Sequence, residues 1–104
     1  GYVEVNRVRH AGAVLLRPEG EVQTWTLASF DALGAADFEA LAALGPEVIV
    51  LGTGERQIFP HPRLCAVLAP ARIGLEVMDT RAACRTYNIL MTEGRRVLAA
   101  LLPI

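Results

Sequence analysis

Ten arginines, two histidines, two cysteines and a single serine make up most of the chain's stock of reactive side chains, and there is no lysine. Without lysine there is no Schiff-base chemistry, no phosphate-loop lysine and no lysine general base. Ser29 stands beside Phe30, outside any Gly-x-Ser-x-Gly context, so it has no nucleophile elbow. His10, His61, Cys65 and Cys84 are of the types that hold zinc, but structural zinc sites draw their ligands in close pairs and none are paired here. His61 lies between Pro60 and Pro62, where a capping or loop role is expected. Glu76 and Asp79 are spaced as an acid/base pair but have no nucleophile to serve. The inventory therefore assigns no catalytic residue, no metal and no cofactor, and the expectation is a protein that is not an enzyme.

Two polar constellations remain. Arg81, Arg85, Asn88 and Thr92 recur at helical spacing and fall within an arc of about 60°. Arg81 and Arg85 are four residues apart, so their charges repel by roughly 0.2–0.5 kcal/mol. They also stand at the positive end of the helix dipole. Asp79 and Glu76 could offset that charge and leave a plain solvated stripe. The sharper reading is a face that grips carboxylates, which guanidinium groups do in bidentate fashion. The second constellation is Gly52-Thr53-Gly54, with Arg56 close behind. It resembles a phosphate-cradling loop, but the dinucleotide pattern needs a glycine where Gln57 stands. A tight chain reversal explains the two glycines equally well.

These residues must be positioned by a layered α/β fold. Tyr2, Val3, Val5 and Val8 alternate loosely. The stretches 13–17 and 21–27 read as a β-hairpin across the turn Pro18-Glu19-Gly20, with a loop of three to four residues. A helix is expected over 35–44, with Phe38, Leu41, Ala42 and Leu44 inward and Gly45-Pro46 ending it. Val48-Ile49-Val50-Leu51 is an unbroken apolar run of the kind buried on both faces of a parallel sheet. A helix over 62–69, a strand over 73–78 with Gly74 at a close approach or bulge, and a long helix over 81–92 follow. Thr80 is expected to cap the long helix, and Ala83, Cys84, Tyr87, Leu90 and Met91 to form its core face. On that face Cys84 is inert packing. Gly94 and Pro103 leave room only for a last buried strand over 97–102. Ligands in such sheets sit beyond the carboxyl ends of the strands. The loop Gly52-Thr53-Gly54, Arg56 and Asp79 all follow strand ends, so they should meet near the start of the Arg81 helix.

With 104 residues, 53% of them apolar, and 20% charged, the chain has the make-up of one folded domain over residues 1–104. A net charge of −1 gives no basic surplus for nucleic acid or anionic membrane. No apolar run is long enough to span a bilayer. The cytoplasm is the expected location, and Ala- and Arg-rich composition without lysine suggests a bacterial source. Gly1 in place of Met is read as a trimmed start, so no targeting segment is assigned.

From Ile73 to Leu102 the wording becomes recognisable. Gly74-Leu75-Glu76-Val77-Met78-Asp79-Thr80, then Ala82-Ala83-Cys84-Arg85-Thr86-Tyr87-Asn88-Ile89-Leu90, then Glu93-Gly94-Arg95-Arg96-Val97 resembles the Mth-domain family of unknown function. Val14-Leu15-Leu16, Trp25, Leu51-Gly52-Thr53-Gly54 and Phe59-Pro60 extend the resemblance over most of the chain. The family's eukaryotic members include a mitochondrial complex I assembly factor and an adipogenesis-associated Mth-domain protein. The resemblance implies a three-layer single α/β domain around a mixed central sheet, with the last strand antiparallel, and no established catalytic residue. The inventory favours a non-enzymatic module, assembly-factor-like if it follows the resemblance, that recognises an acidic segment of a protein partner through the Arg81-Arg85-Asn88 face and the Gly52-Gly54 loop. The alternative is a small-molecule anion site, or an enzyme, at the corner of Gly52, Gly54, Asp79 and Arg85. Pairing of sheet edges into a homodimer is a third possibility to be tested.

Overall fold

The computed structural model describes residues 1–5 and 8–104. The chain opens with a hairpin, β1 (Val3–Val5) against β2 (Val8–His10), in which Val5 faces Val8 and Val3 faces His10 across the antiparallel pair. The second hairpin pairs β3 (Val14–Leu16) with β4 (Gln23–Thr24), so the connection runs over six residues, Arg17 to Val22, rather than three or four. β4 is cut to two residues, yet the chain stays close enough for the Trp25 amide to donate to the Ala13 carbonyl at 2.9 Å. Trp25 is buried.

Helix α1 (Ala35–Ala43) comes next. Asp37 accepts a hydrogen bond from the Gly34 amide at 2.8 Å, which satisfies one of the donors exposed at the helix start. Phe38 and Leu41 are buried as the spacing requires, but Leu44 is the capping residue and stands 41% exposed. Gly45 then takes φ +74 and lets the chain turn into β5 (Val48–Gly52). After β5 comes a 3₁₀ turn, Pro62–Cys65, with His61 as its cap through a 3.1 Å bond from the Arg63 amide. The expected α-helix over 62–69 does not form. The bonds of this stretch run three residues back (Leu64 to His61, Leu68 to Cys65, Arg72 to Ala69), and Pro70 cannot donate to a fourth.

Strand β6 (Gly74–Met78), helix α2 (Thr80–Thr92) and strand β7 (Val97–Leu101) complete the chain. Gly74 sits in regular register, and an added Cβ there would meet nothing closer than 3.6 Å, so it marks neither a bulge nor a close approach. The central sheet has the order β4-β3-β7-β5-β6. β5 lies parallel to both β6 and β7, while β3 is antiparallel to β4 and β7. The last strand is therefore antiparallel on one side only. Its β5 side is parallel because α2 carries the chain back along the sheet before β7 begins.

Alternation along the strands builds two cores. Ile49, Leu51, Leu98 and Ala100 face α1 and the Leu68 segment; Val48, Val50, Val97, Ala99 and Leu101 face α2 and the hairpin residue Val3. β5 and β7 are buried along their whole length, which explains their lack of polar residues. The result is the layered α/β domain that the residue pattern implied, in the three-layer form that the resemblance implied.

One charged contact locks the end of the sheet where β5 and β7 begin. Glu47 accepts from the Arg96 amide at 2.8 Å and pairs with Arg95 at 3.2 Å, and the Glu47 amide donates to the Arg96 carbonyl. The Arg96 amide bond, with Arg95 and Arg96 adding their charges, holds the Glu47 carboxyl below its usual value of 4.5 despite some desolvation. A depressed carboxylate favours folding above its unfolded pKa and loses that contribution as pH falls through the folded value. Glu47→Gln should therefore flatten the acid limb of the stability profile. Urea midpoints at pH about 6 and about 3 check this: the wild type should lose more on acidification than the variant.

Candidate functional site

The tip of β5 and the start of α2 meet, as the topology demanded. The Thr80 amide donates to the Gly54 carbonyl, and the Gly54 amide donates to the Thr80 hydroxyl, both at 2.9 Å. That hydroxyl donates in turn to the Leu102 carbonyl at 2.6 Å, while the Leu102 amide donates to the Gly52 carbonyl. Thr80 is 1% exposed, so one buried oxygen ties β5, α2 and the end of β7 together. The sequence pointed to Thr80 as the helix cap. The cap is Asp79, whose carboxylate accepts from the Ala82 amide at 2.9 Å. Two good capping residues stand side by side, and the buried position claimed the uncharged one.

Thr53 is equally engaged. Its amide donates to the Met78 carbonyl at 2.9 Å, its hydroxyl donates to the Arg56 carbonyl at 2.6 Å, and the same oxygen accepts from the Ile58 amide at 3.1 Å. Gly52 is glycine because a Cβ would lie 2.9 Å from both Leu101 and the Thr80 hydroxyl. Gly54 holds φ +97, a conformation that disfavours any side chain. The amides of Thr53 and Gly54 thus face fold partners, so an anion at this corner would have to be held by side chains.

Those side chains are outside. Arg56, Arg81, Arg85 and Asn88 are exposed, and Asp79 is half-buried in its capping role. Among the described residues, the one ion pair joins Arg95 to Glu47, so neither Glu76 nor Asp79 lies within ion-pair distance of Arg81 or Arg85. Thr92 is exposed on the same stripe, and Ile89, 60% exposed, adds an apolar surface that the stripe reading did not include. On the inner face Ala83 and Tyr87 are buried and Cys84 and Leu90 half-buried; Met91 is 37% exposed, not core. Burial raises the Cys84 thiol pKa, with Arg85 pulling weakly the other way, and burial also raises the Tyr87 hydroxyl. Neither group is primed as a nucleophile or base at neutral pH. Among the described residues no three His, Cys, Asp or Glu side chains gather to hold a metal ion, and no helix is long and apolar enough to cross a membrane.

Two open clefts lie elsewhere. One, of about 370 Å³, opens at the far end of the sheet beside Arg17, Leu44, Pro46, Arg95 and Arg96. The other, of about 240 Å³, lies between the first hairpin and α2 and takes in Val5, Val22, Cys84, Tyr87 and Asn88. Neither was visible in the sequence, because each is walled by segments distant along the chain. Of the expected site residues, Asn88 lines the smaller of these two clefts and the others line neither.

The sequence pattern of a family described as a protein of unknown function (DUF498/DUF598) matches residues 1–102. The chain belongs to the DUF498/DUF598 family. Among DUF498/DUF598-like chains of known structure, a crystal structure from Bordetella parapertussis superposes with a TM-score of 0.91 at 47% identity, covering 100% of this chain and 89% of that one. A solution structure from Bordetella pertussis, titled a Mth938-like domain, gives a TM-score of 0.84 at 38% identity, covering 99% and 80%. The resemblance read from Ile73 to Leu102 is thereby shown. The chain is also 37% identical over 105 residues to the Bos taurus protein named NADH dehydrogenase (ubiquinone) 1 alpha subcomplex assembly factor 3. That match covers 99% of this chain and 56% of the relative, so the chain spans little more than half the length of the assembly factor.

Proposed function

We propose that this DUF498/DUF598 chain is a non-enzymatic binding module that holds an acidic segment of a partner protein against the Arg81-Arg85-Asn88 face of α2. The observation that carries the reading is the pair of exposed guanidinium groups, one turn apart near the positive end of the helix, with no acidic partner among the described residues. Asn88 adds a donor and an acceptor one turn further on, and Ile89 an apolar contact beside them. Relatives named as complex I assembly factors support a protein partner, since assembly is work done on other chains. The reading places the module in the cytoplasm, without nucleic acid, without membrane insertion and without a cofactor.

Co-purification of a tagged chain from its own host tests the reading. Arg85→Glu should cut partner retention at least about tenfold, because it sets like charges against each other across the interface. Arg63→Glu, an equal charge reversal on the exposed 3₁₀ turn remote in sequence from α2, should leave retention unchanged. Retention by Arg85→Glu equal to wild type would end this reading. A thermal-shift panel of anionic metabolites, with a Tm rise that Arg85→Glu abolishes, would favour a small anion instead. Light scattering decides whether the chain pairs with a second copy.

A further inference from the structure

The two clefts adjoin, since Arg17, Pro18 and Met91 line both. We propose that together they form a binding trough for an elongated amphiphilic anion, its carboxylate or phosphate head between Arg17 and Arg96 and its apolar chain over Met91 into the hollow beneath the first hairpin. The site lies at the end of the sheet where β5 and β7 begin, about 18–20 Å from the β5 tip along the 13 residues of α2, and does not depend on the docking face proposed above.

Three observations carry it. Arg17 and Arg96 both line the larger cleft without an acidic partner within ion-pair distance among the described residues, whereas Arg95 is held by Glu47. Glu19 is the acidic residue on that lining, so arginine prevails there. Leu44 and Met91 stand 41% and 37% exposed on the same walls, which leaves large apolar surface open beside the guanidinium groups. Beyond Met91 the smaller hollow is walled by Val5, Leu16, Val22 and Tyr87, residues packed in or against the second core cluster, with the half-buried Cys84 among them; the exposed Glu4 and Asn88 also line it, so the anionic head belongs at the Arg17–Arg96 end. The cleft exists because the β3–β7 ladder stops at Leu16 opposite Ala99, and Pro18, two residues on, has no amide hydrogen with which to extend it. A cationic end, an apolar path past Leu44 and Met91, and a second hollow with apolar side chains on its walls match a charged head on a hydrocarbon chain.

Decanoate and decyl phosphate are the probes, with decyltrimethylammonium and decanol as charge controls, each titrated below its micelle concentration into the whole ¹⁵N-labelled chain. Both anions should move the amides of Gly45, Gly94, Arg96 and Val97 and bind at least about tenfold more tightly than either control; their relative affinity tells carboxylate from phosphate. From hexanoate to decanoate, affinity should rise about two- to fourfold per methylene. In a Cys65→Ser background, decanoate should slow alkylation of Cys84. The double variant Arg17→Gln/Arg96→Gln, which keeps Glu47 and Arg95, should lose at least about tenfold in decanoate affinity while retaining wild-type amide dispersion. Equal binding of decyltrimethylammonium or decanol, shifts confined to other surfaces, or undiminished affinity in the double variant would each overturn the proposal.

Discussion

Replacing Gly52 with alanine should destabilise the chain by about 3 kcal/mol, whereas the same change at Gly74 should be neutral or slightly stabilising. At Gly52 the new methyl would sit 2.9 Å from Leu101 Cδ2 and from the Thr80 hydroxyl, and 3.0 Å from Thr80 Cα. Leu101 is fully buried, and the Thr80 backbone is fixed by its bond to the Gly54 carbonyl. Neither neighbour can withdraw without breaking something else. At Gly74, on the edge strand, the nearest atoms stand at 3.6 Å or beyond, which is ordinary contact, and the unfolded chain loses freedom. Urea midpoints of the two variants measure the contrast. A Gly52→Ala protein within about 1 kcal/mol of wild type would show that the β5 tip is looser than these distances imply.

Thr80→Val should cost about 2–4 kcal/mol, with Thr80→Ser nearer to 1. Valine keeps the shape and removes the hydroxyl, stranding the Gly54 amide and the Leu102 carbonyl, which it joins at 2.9 and 2.6 Å in a buried setting. Serine keeps both bonds and loses one methyl. Hydrogen exchange reads the same event locally: the Gly54 amide should lose protection in the valine variant far more than in the serine one. Equal protection in both would mean that another acceptor takes over the amide.

How far the residues foretold these results depended on the range of the interaction. Runs such as Val48–Leu51 and Val97–Leu101 carry their burial in their own composition, and the α2 stripe carries its exposure in a 100° period. Convergence of Gly52-Thr53-Gly54 with the Arg81 helix followed from the sheet's direction. The polar detail there did not. Whether a buried hydroxyl or an outside ligand would meet the Gly54 amide depended on Thr80 and Leu102, lying 26 and 48 positions further along. Asp79 and Thr80 were interchangeable as caps until one of them was buried. The stretch 62–69 has helical composition, but Pro70 and bonds of three-residue span hold it as tight turns. Leu44 and Met91 keep helical phase with the core yet stand exposed near the helix ends, where both line the larger cleft.

The position of β7 has a consequence for how the molecule comes into being. The strand that comes last in this sheet's sequence order, β7, fills the centre of the sheet, with β3 on one flank and β5 on the other. Until Val97 to Leu101 emerge from the ribosome, the earlier strands form two halves with no seam between them, each presenting a bare apolar ladder. Closure then waits on contacts that span most of the chain, from Val14 to Leu101, and such long-range zipping is slow. The nascent chain is therefore most vulnerable to aggregation just before its synthesis reaches that strand.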